Sequence, residues 1–285
     1  NGTVVNNVKE YPELLWTMRG AGNAGYGIVT TSTIKIHPVQ KIVTRFNFTY
    51  DFDQTSSILS VINQLGNSYF HQNLTFATSI TKLPELSVDV FGIYLGSAAE
   101  LQPYIQDFIN LSKPKMESYI EGDFYELITY YANSTKGVGN FKVKSFFMNS
   151  DGLSIEGAKY LMNFIEGFKC DLRIEMLLLG GEVNKVRRNE TAFVHRGHMN
   201  HMEIKVIEPS EMCLRDLKIF STHFQRKYTN YESYQNLIDR QLDNWQCRYY
   251  RENFEKLVEI KQKYDPYNLF RWNQSIPTNT EISCY

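Results

Sequence analysis

Apolar positions recur along this chain in two rhythms. Leu257, Ile260 and Tyr264 fall at helical spacing while Glu255, Lys256, Glu259 and Lys263 take the polar side, and Asp265-Pro266 ends the run because proline has no amide hydrogen to donate. The same period predicts helices over residues 55–69, 98–111, 155–168 and 211–227. Stretches rich in β-branched and aromatic residues predict strands at 43–52, 86–95, 142–148, 173–179 and 201–207. Strands alternating with helices that cover one side specify an α+β fold, an antiparallel sheet under a helical layer. Residues 1–40 read differently, as strand, short helix, glycine loop and a further extended stretch from Ile28 to Ile36.

Composition narrows the class. The chain has 285 residues, 42% hydrophobic and 14% aromatic, enough for one large or two modest cores. A net charge of −1 argues against a nucleic-acid partner. No run of about 18 apolar residues is present, so nothing in it reads as a membrane-spanning helix. N-x-S/T sequons at Asn1, Asn47, Asn73, Asn110, Asn133, Asn189 and Asn273 point to the secretory pathway and a glycoprotein. Cys170, Cys213, Cys247 and Cys284 permit disulfides there, with three full pairings open.

Gly20, Gly22 and Gly25 match G-x-G-x-x-G, which raises a Rossmann dinucleotide site. That fingerprint needs a strand before it and a helix after it, whereas here a helical stretch precedes and an extended one follows. The glycines are better read as places where backbone approaches a nucleotide arranged in another way. His195, His198 and His201 form H-x-x-H-x-x-H, but on a strand 195 and 201 face one side and 198 the other, so no metal is expected. No G-x-S-x-G elbow, Walker motif, zinc cysteine spacing or paired-carboxylate signature is present, and the acidic residues read as solvated helix faces.

The end of the chain carries the strongest signal. Tyr249-Tyr250-Arg251-Glu252-Asn253-Phe254, followed by Ile260-Lys261-Gln262-Lys263-Tyr264-Asp265-Pro266-Tyr267-Asn268-Leu269-Phe270 and Gln274-Ser275-Ile276-Pro277, resembles the closing motif YYGxNYxRLxxIKxKYDPxNLFRxPQSIP. This is a motif of the berberine-bridge-enzyme-like FAD-linked oxidases, which share the vanillyl-alcohol-oxidase or PCMH-type flavin fold. Arg251 stands where that family has glycine, and Asn273 where it has proline. Pro12-Glu13-Leu14-Leu15-Trp16-Thr17-Met18-Arg19-Gly20-Ala21-Gly22-Asn23-Ala24-Gly25-Tyr26-Gly27-Ile28-Val29-Thr30 is similar to its (P/D)LFWALRGGGGGNFGIVT signature. Gly92-Ile93-Tyr94-Leu95-Gly96-Ser97 resembles its GLYLGS, and Thr191-Ala192-Phe193-Val194-His195-Arg196 its TAFPHR.

The resemblance implies a domain plan and a site. Residues 1–40 would end an FAD-binding domain, 41–233 would form the substrate domain, and 234–285 would return to the FAD domain. Asn1-Gly2-Thr3-Val4-Val5 is similar to a DGTVV that follows the family's flavin-attachment histidine and cysteine, so a fragment is expected, with covalent attachment of FAD in a missing N-terminal part. Tyr249 corresponds to the family's proton acceptor, and a tyrosine serves as base only if neighbouring charge, here Arg248 and Arg251, lowers its pKa from near about 10. Ala24, Gly25, Gly27, Val29, Gln246, Cys247, Arg248 and Asn253 are implied FAD contacts. Leu95 and either Asn200 with Met202 or His201 on the other register are implied to face substrate.

The expected function is hydride abstraction from an alcohol carbon of a sugar or small secondary metabolite by a secreted, monomeric flavoprotein, with electrons passed to oxygen. Its partners are then a small-molecule substrate and oxygen, with no nucleic acid and no membrane. The alternative is a catalytically incompetent glycosylated remnant or binding domain. Ile28, Val29, Leu257 and Phe270 are expected to be partly wet in a fragment, which predicts poor solubility.

Overall fold

The computed structural model describes residues 4–22, 25–69, 72–82, 85–134 and 139–284. Ala24 and the first residues of the DGTVV-like segment lie outside them. The chain divides into two units, one comprising Asn1–Lys35, Glu182–Arg196 and Glu232–Tyr285, the other Ile36–Gly181 and Gly197–Tyr231. Residues 182–196 thus belong with the two ends of the chain, although they lie inside the 41–233 span.

The larger unit is a seven-stranded, wholly antiparallel sheet. Its strands are β1 (Val43–Tyr50), β2 (Leu74–Lys82), β3 (Leu86–Tyr94), β4 (Met116–Gly122), β5 (Phe141–Phe147), β6 (Leu172–Leu178) and β7 (Asn200–Ile207). Their order across the sheet is β4-β1-β3-β2-β6-β7-β5. Side chains alternate between faces along each strand. Phe46, Phe48 and Tyr50 of β1, Val88 and Val90 of β3, Ile174 and Met176 of β6, and Met202, Ile204 and Val206 of β7 all enter one core. The helices α2 (Thr55–Tyr69), α3 (Ala98–Ser112), α5 (Ile155–Gly167) and α7 (Glu211–Tyr228) close that core with Ile58, Leu101, Ile105, Leu161, Leu217 and Phe224. Three of them begin on a serine cap. Ser97, Ser154 and Ser210 accept the amide hydrogens of Glu100, Gly157 and Cys213, satisfying donors that a helix start leaves open.

A disulfide between Cys170 and Cys213 joins the approach to β6 to the first turn of α7, across a sequence separation of 43. Cys170→Ser with Cys213→Ser is expected to lower stability by about 2–4 kcal/mol, because the bridge restricts the unfolded chain. Thermal unfolding of the double variant checks this, and an unchanged midpoint would count against it.

The opposite face of the sheet is covered in part by α4 (Phe124–Ser134), which packs on β1. The rest of that open face carries Asn47, Thr49, Asp89, Arg173, Glu175, Leu177, His201, Glu203 and Lys205, set by strand register.

The smaller unit holds α1 (Pro12–Met18), α6 (Glu182–Lys185), α8 (Trp245–Tyr250) and α9 (Phe254–Tyr264) around Trp16, Ala192, Tyr249, Tyr250, Phe254, Leu257, Ile260 and Ile276. Leu257 is fully buried there, contrary to the expectation of a partly wet side chain, because α9 finds its apolar partners within this unit. The stretch from Ile28 to Ile36 forms no strand, and Ile28 is 79% exposed. Its β-branched residues favour extension, but no partner strand among the described residues supplies a ladder.

Candidate active site

Two motifs far apart in sequence are bonded to each other in the smaller unit. The Tyr250 hydroxyl donates to the carbonyl of Ala21 at 3.1 Å, the Tyr26 hydroxyl to that of Leu257 at 2.7 Å, and the Lys261 ammonium to that of Gly25 at 2.8 Å. The glycine loop is therefore pinned to α8 and α9. Its conformation needs glycine, because Gly20, Gly22 and Gly25 have φ of 125, 62 and 70°. A Cβ on Gly25 would come within 2.7 Å of Trp272, while Gly27 faces open space.

Lys261 is the hub of this arrangement. Its side chain is fully buried, and besides Gly25 it donates to the carbonyl of Phe270 at 2.7 Å and to the carboxylate of Asp265 at 2.6 Å. Asp265 also accepts the amides of Leu269 and Phe270. The signal was readable: Lys261 stands four residues after Leu257 on the apolar side of α9, four before an aspartate.

Tyr249 is 2% exposed, and its hydroxyl accepts the amide of Asp239 at 2.9 Å. Burial pushes its pKa up to about 12, with the Asp239 amide and the Arg248 charge pulling the other way. The lowering expected from flanking arginines is not what the geometry gives. The Arg248 guanidinium is paired with Asp243, and Arg251 lies 3.6 Å from the carboxylate of Glu232.

The other implied flavin contacts divide. Gln246 is half-buried on α8, and Val29 is exposed. Cys247 has no thiol to offer, since it is bridged to Cys284, which with Cys170–Cys213 resolves the three open pairings. The Asn253 amide is committed to the carbonyls of Arg188 and Thr191 at 2.9 and 3.2 Å, so it fixes that segment.

The three histidines serve separate ends. His195 is fully buried between Glu232 at 2.7 Å and Gln235 at 2.9 Å, in a network that Arg188 extends to Glu252. His198 meets the side-chain amide of Asn230, and His201 lies against Phe147 with ring centroids 4.9 Å apart. Among the described residues no group of His, Cys, Asp or Glu could hold a metal.

Register decides the substrate-facing pair on β7. Met202 enters the helix-covered core, and Asn200, two residues before it, lines a small cavity there with Leu59, Ile62 and Phe76. The Asn200 side-chain oxygen Oδ1 has no hydrogen-bond partner among the described residues. His201 faces the open side, so Asn200 does not join it. Leu95, half-buried just past β3, donates its amide to Asn73.

Beyond His201 the open face holds a carboxylate pair that no sequence motif marked. Glu175 and Glu203 sit directly opposite on β6 and β7. Lys205 lies 2.6 Å from Glu203 and 3.4 Å from Glu175, and Arg173 lies 2.6 Å from Glu175. Burial and the neighbouring carboxylate raise Glu203, while the hydrogen bond from Glu203 and the charges of Arg173 and Lys205 overcome burial and lower Glu175. The two carboxyls are thus pushed in opposite directions, Glu203 toward its protonated form and Glu175 toward its ionised form.

Residues 233–277 match the family described as berberine and berberine like. The chain is 28% identical over 320 residues to a monolignol oxidoreductase of Arabidopsis thaliana, AtBBE-like 13, covering 99% of this chain and 59% of that protein. It superposes on the Physcomitrella patens BBE-like 1 structure with a TM-score of 0.88 at 27% identity, over 99% of this chain and 64% of that one. Residues 233–277 carry the family match, and the chain as a whole resembles the berberine-bridge-enzyme-like FAD-linked oxidoreductases. Like those two, an uncharacterized FAD-linked oxidoreductase of Bacillus subtilis, YgaK, is matched over most of this chain, at 26% identity and 59% of its own length. The chain thus spans about three-fifths of the length of the relatives it matches. Chitooligosaccharide oxidase, at 22% identity and a TM-score of 0.87, shares the fold. FAD is the cofactor of this family, and the left-handed glycine loop, which presents backbone rather than side chains, fits a group recognised by amide hydrogens.

Proposed function

We propose that the chain forms part of an FAD-dependent oxidase that abstracts hydride from an alcohol carbon of a sugar or small secondary metabolite and passes electrons to oxygen. The observation that carries this reading is the set of hydrogen bonds joining the glycine loop to α8 and α9, Tyr250 to Ala21, Tyr26 to Leu257 and Lys261 to Gly25, which holds the loop beside Tyr249. Bound FAD supplies the hydride acceptor. Gly25 and Gly27 hold it by backbone, Gln246 lies on the same helix as Tyr249, and Tyr249 takes the proton of the substrate hydroxyl. A second reading of the proton acceptor is favoured by the raised Tyr249 phenol: the Glu175–Glu203 pair, whose carboxyls sit opposite each other on β6 and β7, takes the proton instead. His201 borders that pair and contacts substrate.

The protein is read as secreted and monomeric, with a small-molecule substrate and oxygen as its partners. Support comes from two disulfides and from exposed sequon asparagines at Asn110, Asn189 and Asn273. No helix among the described residues is long and apolar enough to cross a membrane.

The test is a visible absorption spectrum of the protein purified from its full reading frame, before and after acid precipitation. A yellow flavin spectrum that remains with the pellet is expected, for covalently held FAD. A colourless protein that gains no colour on adding FAD would reject the oxidase and leave the non-catalytic remnant.

A further inference from the structure

We propose that Arg45 is an anchor for the carboxylate of a small-molecule ligand on the open face of the sheet. Arg45 projects from β1 to that face, and its guanidinium carbon lies 3.6 Å from the ring centroid of Tyr130 on α4. Strand register flanks it with Ile93 of β3 and Ile120 of β4. The charge is therefore stacked on an aromatic face with an aliphatic side chain on either side.

One of its donors is unsatisfied. Among the described residues the buried Nη1 has no hydrogen-bond partner, and no carboxylate lies within ion-pair distance. The acids closest in register or on α4 are engaged elsewhere. Asp89 accepts from Asn47 at 3.0 Å and from Thr49 at 2.8 Å, and Asp123 and Glu126 accept each other's backbone amides at the start of α4. A buried donor left without an acceptor costs free energy, and a guanidinium is a planar fork that fits two carboxylate oxygens at once. Tyr130 covers one face of the plane, which leaves the N–H edge for that acceptor. Tyr130 itself is 51% exposed and Arg45 is half-buried, so the stacked pair lies at the surface of the open face.

The inference does not rest on flavin chemistry, because equilibrium binding reads it. Isothermal titration of the purified protein compares D-glucuronate with D-glucose, and 4-hydroxybenzoate with 4-hydroxybenzyl alcohol. In at least one pair the acid is expected to bind about tenfold more tightly than its neutral partner. The pair with the larger ratio tells whether a pyranose or an arene carries the carboxylate. Arg45→Met keeps an apolar stem under Tyr130 and should abolish the preference. Arg45→Lys, which keeps charge without the fork, should retain only part of it. Acids that bind no better than their neutral partners, or a preference that survives Arg45→Met, would overturn the proposal.

Discussion

Lys261→Met is expected to cost about 3–5 kcal/mol of stability, because it leaves Asp265 buried without its cation. That corresponds to a fall in melting temperature on the order of 10 °C. Asp265→Asn should also be costly, since it leaves a fully buried ammonium with only two carbonyls. Combining the two should cost less than the sum of the single losses, as expected for groups that interact directly. The pH dependence has a fixed sign. Burial alone would raise the Asp265 carboxyl, but the Lys261 ammonium and the amides of Leu269 and Phe270 outweigh it and hold the group below its ordinary range. A group lowered in the folded state contributes stability above its unfolded pKa near about 4 and loses it as pH falls through the folded value. The gap between wild type and Lys261→Met should therefore narrow in acid. A gap under about 1 kcal/mol at neutral pH, measured by thermal unfolding, would show that the buried pair is not what holds the glycine loop.

Tyr249→Phe is expected to slow substrate-dependent bleaching of the flavin by about 10²–10⁴-fold, the usual contribution of a positioned proton acceptor, while the protein stays yellow. The phenol is held up to about 12 by burial, so the wild-type rate should rise with pH across the neutral range as the phenolate fraction grows. Glu203→Gln separates the two acceptors. If Tyr249 acts alone, this variant keeps its rate; if the cross-strand pair takes the proton, Glu203→Gln falls and Tyr249→Phe does not. Stopped-flow reduction under anaerobic conditions reads both variants, and a full rate in Tyr249→Phe would remove that residue from the role.

What the sequence revealed follows the range over which each signal acts. Helix α2 (Thr55–Tyr69) coincides with its predicted bounds and α5 (Ile155–Gly167) nearly so, because an amphipathic period is written within the element itself. The C-terminal block was equally legible, being one contiguous motif. Strand β2 escaped notice since Thr75, Thr78, Ser79 and Thr81 put polar residues on both of its faces, and β4 because an edge strand with Met116 and Ile120 exposed shows little alternation. The stretch from Ile28 to Ile36 erred the other way, having strand composition without a partner. Site features that depend on register could not be read at all. Whether Asn200 or His201 faces the open side, and that Glu175 meets Glu203, are settled by pairing between strands some thirty residues apart. Cys247 reads as a candidate flavin contact from its position beside the tyrosines, yet its fate is decided by Cys284, 37 residues on.

The threading of the chain through its two units sets an order of assembly. Every residue of the sheet unit lies within 36–181 and 197–231, whereas the smaller unit draws its core from both ends, with Trp16 meeting Phe254 and Ile276. During synthesis the sheet and its helices can close as soon as Tyr231 has left the ribosome. The glycine loop, made before the sheet, waits for α8 and α9, which are made after it. A nascent chain stalled before Asn244 would carry a finished sheet and an unanchored glycine loop, so the smaller unit is the one that such a stall leaves unfinished.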